Sequence, residues 1–303
     1  MLVVAGETIV DMIEFKPNCF EAFTGGGPYN VAKASAKMGT STGYFSPIST
    51  DSFGDQFETE MTKLDVLAIS PRSQQPTGLA IVKKDENGHP SYSFYRDSSA
   101  DRDIEIGALK QSFPNNAHAF YIGGLALADG DDATTWTQFL AGLECPIFVD
   151  PNIRPTFIKN RDSYLARLEQ VYTHSHIVKL SDEDIDWIAP GVDAKEYLLQ
   201  IMKQFGIKIG LLTAGPIGAT AITAEGERFV KTPKVEVIDT VGAGDCFSAA
   251  SLSFLMQSRE IANTPSLDHL EDMLEYATIA AAINCMRAGA NAPTDEEIKA
   301  FQR

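Results

Sequence analysis

The stretch that most restricts the fold is Thr240-Val-Gly-Ala-Gly-Asp245, preceded by Val235 and Val237 and followed by Phe247, Ala250 and Phe254. The two valines alternate with polar neighbours, which predicts the end of a strand. The later apolar residues recur at helical spacing, with Leu255 widening the stripe, and predict a helix from Asp245 onward. Such a turn leaves unpaired backbone N–H groups at the positive end of a helix, and Gly242 and Gly244 let a bulky anion come close to them. Asp245 sits in the first turn, where the dipole favours its ionised form. An anion cradle beside a carboxylate base is what phosphoryl transfer to an alcohol requires. A lone Gly-x-Gly-Asp is equally an ordinary glycine loop with a helix-favouring acid, so the rest of the chain has to decide.

Taken in order, the chain alternates strand and helix patterns. Leu2–Ala5 reads as a buried strand broken at Gly6, and Asp11 follows Ile9-Val10 at or just beyond a strand end, where open parallel sheets bind ligands. Gly25-Gly-Gly-Pro-Tyr-Asn-Val-Ala32 opens a helix through Pro28 that Gly39 ends, leaving bare amides near Asp11. Phe53, Phe57 and Met61 form a core stripe on the next helix. From Thr77 the pattern turns to alternation: Leu79–Val82 and Tyr92–Tyr95 are short strands joined through Asn87-Gly88, a hairpin turn signal. A small sheet inserted here, with part of residues 9–24, predicts a lid that excludes water from a reactive centre. Strands at Ala119–Gly123, Pro146–Asp150, Ile177–Leu180 and Ile209–Thr213 then alternate with helices over 131–141 and 266–286. Ser181 reads as an N-cap with acids at 182–184, and a hairpin is expected across Glu225-Gly226.

Composition limits the partners. The chain has 303 residues, 44% hydrophobic and 22% charged, with 25 basic against 41 acidic residues and a net charge of −16. This disfavours nucleic acid and anionic membrane surfaces, but not a nucleotide whose charge is met locally. Cys19, Cys145, Cys246 and Cys285 have no metal-type spacing and read as reduced thiols of a cytoplasmic protein, with Cys246 placed to be reactive. The N-terminus looks like a first core strand, not a signal peptide, and no apolar run reaches a membrane span.

The string Asp239-Thr-Val-Gly-Ala-Gly-Asp-Cys-Phe closely resembles the C-terminal signature of the ribokinase-like, or PfkB, carbohydrate kinases. Gly25-Gly-Gly-Pro-Tyr-Asn-Val-Ala is similar to the family's N-terminal signature, and weaker matches cover essentially the whole length. Gly6-Glu-Thr-Ile-Val-Asp11, Phe94-Tyr-Arg96, Ala100-Asp-Arg102 and Asp150-Pro-Asn-Ile-Arg154 are closest to the family's fructokinases. The resemblance implies an α/β fold: a ribokinase-like, mainly parallel sheet flanked by helices, with a small β-sheet lid. It implies one kinase domain over 1–303, with the lid at approximately 9–24 and 77–99. Asp245 would be the catalytic base, with Gly242, Ala243 and Gly244 as the anion hole. Asp11, Gly26, Asn30, Arg96 and Arg154 would meet the sugar. Read from the residues alone, Arg96 is equally an exposed edge cation, and Arg154 equally a partner of Asp150 or Glu7. Lys179, Thr213, Gly215, Gly218 and Asn284 would meet ATP. The family's Asn-x-x-Glu for Mg²⁺ is here Ser181-x-x-Asp184, with Glu183 one place off, so the acids can also be simple caps. Asp239 and Val241 would face the 287–292 loop around a monovalent cation, K⁺.

The expected activity is transfer of the ATP γ-phosphoryl group to a terminal hydroxymethyl of a ketose, most simply D-fructose. 2-Keto-3-deoxygluconate kinase is the runner-up within the family, and nucleoside kinases a further option. The expected partners are sugar and ATP, with a homodimer through the lid as one possible assembly. A catalytically silent sugar sensor would keep the fold but not the need for Asp245. No Walker loop and no Gly-x-Gly-x-x-Gly after the first strand point to a P-loop NTPase or a dehydrogenase.

Overall fold

Leu2 and Val4 join one buried apolar cluster and Val3 and Ala5 the other, so strand β1 (Leu2–Ala5) is covered on both faces. Its alternating side chains and lack of polar positions are those of a central parallel strand. The same division recurs at β8 (Ala119–Gly123), where Ala119 and Tyr121 face one layer and Phe120 and Ile122 the other. The computed structural model of the chain describes residues 1–84 and 90–301; the expected turn at Asn87-Gly88 lies outside them.

The main sheet has nine strands. From one edge it runs β13 (Gly226–Val230), β12 (Ala219–Thr223), β11 (Ile209–Thr213), β10 (Ile177–Ser181), β9 (Ile147–Asp150), β8, β1, β4 (Thr42–Tyr44) and β5 (Leu67–Ala68). All neighbours from β11 to β5 are parallel, and β12 and β13 add an antiparallel edge. Helices cover both faces; the helix Ala243–Gln257 packs between Gly27–Lys37 and Leu267–Cys285. Being enclosed on nearly all sides, it buries Asp245 to Ser253 continuously, a wider face than its apolar stripe alone predicts.

A second sheet of four strands stands apart, in the order β3 (Cys19–Gly25), β2 (Ile9–Lys16), β6 (Gly78–Lys84) and β7 (Pro90–Tyr95). It occupies the two segments expected to leave the main domain. A small apolar cluster of Ile9, Ala80, Leu125 and Ala128, with Phe94 against Phe157, joins it to the body.

One expected strand is absent. β13 ends at Val230, and 231–242 carries no strand. Pro233 has no N–H to give a ladder, and Val235 and Val237 line a cavity rather than a sheet. The helix after the glycine turn begins at Ala243, two residues before Asp245.

Candidate active site

The site forms where β1, β8, β9, β10 and β11 end. The segment before the long helix is pinned rather than paired: the Ile238 and Asp239 amides both donate to the Cys285 carbonyl. The Asp239 carboxylate accepts from the Val241 amide (3.1 Å) and the Gly289 amide (2.8 Å). Asn284 Nδ2 donates to the Val241 carbonyl at 2.8 Å. Residues 239–241 therefore do face the 287–292 loop. Gly242 caps the helix with φ of 75°, and a Cβ there would fall 2.6 Å from that of Ala290, so only glycine suits the position. Among the described residues, the Ala243 amide donates to the Thr240 carbonyl at 3.2 Å, while the Gly242 and Gly244 amides make no hydrogen bond. Two donors at a helix N-terminus are thus left for an anion.

Asp245 is the third residue of the helix and is buried. Its Oδ2 accepts from Asn30 Nδ2 at 3.0 Å and its Oδ1 from Asn152 Nδ2 at 3.4 Å. Burial pushes its carboxyl up to about 6, although the Asn30 hydrogen bond and the nearby Lys179 and Arg154 charges oppose this. A carboxylate of that strength is still ionised at neutral pH and is a better proton acceptor than a solvated aspartate.

On the Asn30 side lie Asp11, Gly26 and Arg96 of the residues expected to bind sugar; Arg154, expected with them, lies instead on the other side of Asp245, in the wall of the large cavity. Asp11 is on β2, opposite Phe23 and Ala80, with its carboxyl beside Gly25; burial lifts it to about 6. Gly26 precedes the helix Gly27–Lys37 with φ of 115°. Arg96 is not an exposed edge cation. It is buried, bonds Asp101 through Nε (2.9 Å) and Nη2 (2.7 Å), and has Asp132 at 3.9 Å. Arg154 pairs with neither Asp150 nor Glu7; it donates to the Ile153 carbonyl at 3.2 Å and its side chain borders the cavity described next.

On the Asn152 side opens a cavity of about 1340 Å³. Lys179, Thr213, Gly215, Gly218, Gly244 and Arg154 are in its wall, together with Val235 and Ala281. Asn284 is not: it is buried behind the turn. Lys179 Nζ bonds both oxygens of the fully buried Asp150 at 3.2 Å, and Ser248 Oγ donates to the same carboxylate at 2.9 Å. Asp184 closes a capping box with Ser181 and also accepts from the Ile153 amide at 2.8 Å, whereas Glu183 is exposed on the cavity rim. Among the described residues no group of three or more His, Cys, Asp or Glu could hold a metal. Cys246 is buried, and burial holds its thiol well above the ordinary range, against the reactive role expected for it.

Three groups at the site escape local sequence patterns. Asn152 lies within the quoted Asp-Pro-Asn string; its φ of 43°, which asparagine tolerates better than most residues, aims its amide at Asp245. Glu7 bonds the Gly27 amide (3.1 Å) and the Leu125 amide (2.9 Å) from beneath. Ser248 looks like one more small residue of a helix face. Each partner is distant in sequence.

The model of the pfkB family of carbohydrate kinases matches residues 1–297. A fructokinase of Rhizobium leguminosarum bv. trifolii is 32% identical over 265 residues, which cover 84% of this chain and 79% of the relative. The crystal structure of the fructokinase of Xylella fastidiosa with bound ATP has a TM-score of 0.89 at 25% identity, covering 99% of this chain and 97% of that one. Aminoimidazole riboside kinase of Salmonella enterica, complexed with aminoimidazole riboside and an ATP analogue, has a TM-score of 0.86 at 22% identity, covering 100% and 99%. At that identity the likeness is one of fold alone.

Proposed function

The chain belongs to the pfkB family of carbohydrate kinases, and we propose that within it the protein transfers the γ-phosphoryl group of ATP to a terminal hydroxymethyl of D-fructose. The observation that carries this reading is the two-sided bonding of Asp245. Asn30, from the glycine loop, holds one carboxylate oxygen, and Asn152, from the wall of the large cavity, holds the other. An acceptor hydroxyl beside Asn30 and a phosphate at the Gly242 and Gly244 amides then meet at one base. Asp245 takes the hydroxyl proton as the O–P bond forms, the leaving ADP oxygen departs in line, and Lys179 and Arg154 offset the charge on the cavity side. Asp11, Gly26 and Asn30 position the sugar. The four-stranded sheet that carries Asp11 acts as the lid, and its exposed Phe15, Phe23 and Tyr95 offer apolar surface to a second copy of the chain.

Mg²⁺ would arrive bound to the nucleotide, where it would offset phosphate charge. Asp184 has most of its hydrogen-bonding capacity engaged, so Glu183 and Asp184 suit an ion that keeps several of its waters and contacts the protein little. A monovalent ion fits the turn for a different reason. Asn284 Oδ1 is buried without a partner close to Gly242 and Ala290, the same amide donates to the Val241 carbonyl, and an oxygen-seeking cation such as K⁺ would satisfy the orphaned oxygen there. Potassium at fixed Mg²⁺ and ionic strength should therefore raise turnover several-fold over a bulky organic cation, as read by a coupled ADP assay. Equal rates in both salts would remove the ion from this reading.

Arg96 bears on the acceptor. Its guanidinium is already paired with Asp101, so the carboxylate of 2-keto-3-deoxygluconate would have to displace a buried ion pair, whereas a neutral ketose would not. A coupled assay over fructose, ribose, 2-keto-3-deoxygluconate and nucleosides should give the highest kcat/KM with fructose, by orders of magnitude over sugars lacking the bonded hydroxyls. A clear preference for the sugar acid or a nucleoside would overturn the acceptor and leave the kinase.

A further inference from the structure

Glu7 is a buried carboxylate that the chemistry above does not use. It lies in the connection from β1 to β2, where the main sheet gives way to the lid sheet. One oxygen accepts from the Gly27 amide at 3.1 Å, at the start of the helix that carries Asn30. The other accepts from the Leu125 amide at 2.9 Å, in the turn after β8. The fit leaves no slack: a Cβ on Gly124, whose φ is 60°, would fall 2.7 Å and 2.8 Å from the two oxygens. Gly27 lies between two carboxylates, since a Cβ there would be 3.2 Å from Asp245 Oδ1 and 3.6 Å from Glu7 Oε1.

The geometry points to Glu7 as a positioning residue for the acceptor: it holds the Gly25–Gly27 loop in register with Asp245 and with the turn after β8, and so sets sugar affinity without touching the nucleotide. This rests on the reading of the Asp11–Asn30 side as the acceptor site. Two N–H donors from separate loops converge on one carboxylate, which accepts both most strongly while it is ionised. Protonation weakens one of the two acceptors, and an amide in its place turns one of them into a donor facing a backbone N–H. The groups around it are Arg96 at the end of β7, Asp101 in the turn that follows, Tyr44 on β4, Tyr121 on β8 and Asp245 across Gly27, with Asp132 behind Arg96. Burial lifts Glu7 to about 7 against the pull of Arg96, so the ionised form that bonds both amides best is gained as pH rises through that range.

Steady-state kinetics with D-fructose and MgATP test this in wild type and Glu7→Gln. The variant should raise the fructose KM about tenfold or more, the scale of a lost hydrogen bond to a charged group, with the ATP KM within about twofold of wild type. In wild type the fructose KM should climb as pH falls through about 7, above the range where Asp11 and Asp245 titrate, and this climb should be absent in Glu7→Gln. An unmoved fructose KM, or ATP and fructose KM values that rise together, would overturn the role. If the variant does not fold, Glu7→Asp decides: a carboxylate one methylene shorter cannot reach both amides, so its fructose KM should rise while the ATP KM stays within about twofold, and an unmoved fructose KM refutes the positioning role. Failure of wild type to phosphorylate fructose at all would instead refute the acceptor assignment, so the two failures are distinct.

Discussion

Asp245→Asn is expected to lower turnover by about 100-fold or more while leaving thermal stability and nucleotide binding near wild type, the scale of a positioned general base. Asparagine has nearly the same shape, and one of the two amides now bonding the carboxylate, from Asn30 or Asn152, can still find an oxygen acceptor. The loss would therefore be chemical rather than structural. The pH dependence gives a second reading of the same group. Because burial holds Asp245 at about 6, the ionised base predominates above that pH and is lost below it. At saturating fructose the wild-type rate should be level above about pH 6 and fall about tenfold per unit beneath it, and the residual rate of the variant should lack that limb. A purified variant that turns over fructose at close to the wild-type rate would show that another group takes the proton.

The parts of this fold that could be read in the sequence are those fixed by neighbours in the chain. Fully apolar runs such as Leu2–Ala5 and Ala119–Gly123 specify central strands because both faces must be covered. Ser181 is the N-cap that its place before the acids at 182–184 predicts. The glycine turn before Asp245 was legible for the same reason, since φ at Gly242 and a helix start are local matters. Errors arose where distant groups decide. Val235 and Val237 alternate like a strand, yet the large cavity and Pro233 take the segment out of the sheet. Local pattern leaves Arg96 open as a sugar contact or an exposed edge cation, and only the fold, with Asp101 and Asp132 over it, removes the second. The bond from Asn30 to Asp245 spans 215 residues and that from Glu7 to Leu125 spans 118, so no local pattern announces either one. Family resemblance supplied the role of Asn30, whereas Glu7 and Asn152 stand inside the quoted strings with bonding roles that only the fold shows.

Lys179→Met should be the other severe change, and a double variant can separate its two consequences. Burial works to lower the Lys179 pKa, but Asp150 and Asp184 more than offset it and keep the ammonium charged. Removing that charge strands the Asp150 carboxylate, which is fully buried and would retain Ser248 as its bonded partner. Breaking one half of a buried ion pair costs about 3–5 kcal/mol, which for a chain of this size corresponds to a fall of roughly 5–8 °C in Tm. Turnover should also fall by about 100-fold or more, as when a preorganised donor to developing charge is lost, because Lys179 Nζ stands beside Gly244 at the cavity wall. Asp150→Asn added to Lys179→Met removes the stranded charge, so most of the lost stability should return. Activity should not, because the cation facing the phosphate is still missing. A double variant that regains both would make Lys179 a purely structural partner of Asp150. If the single variant keeps its Tm, the pair is not the buried, mutually dependent one that its 3.2 Å contacts describe.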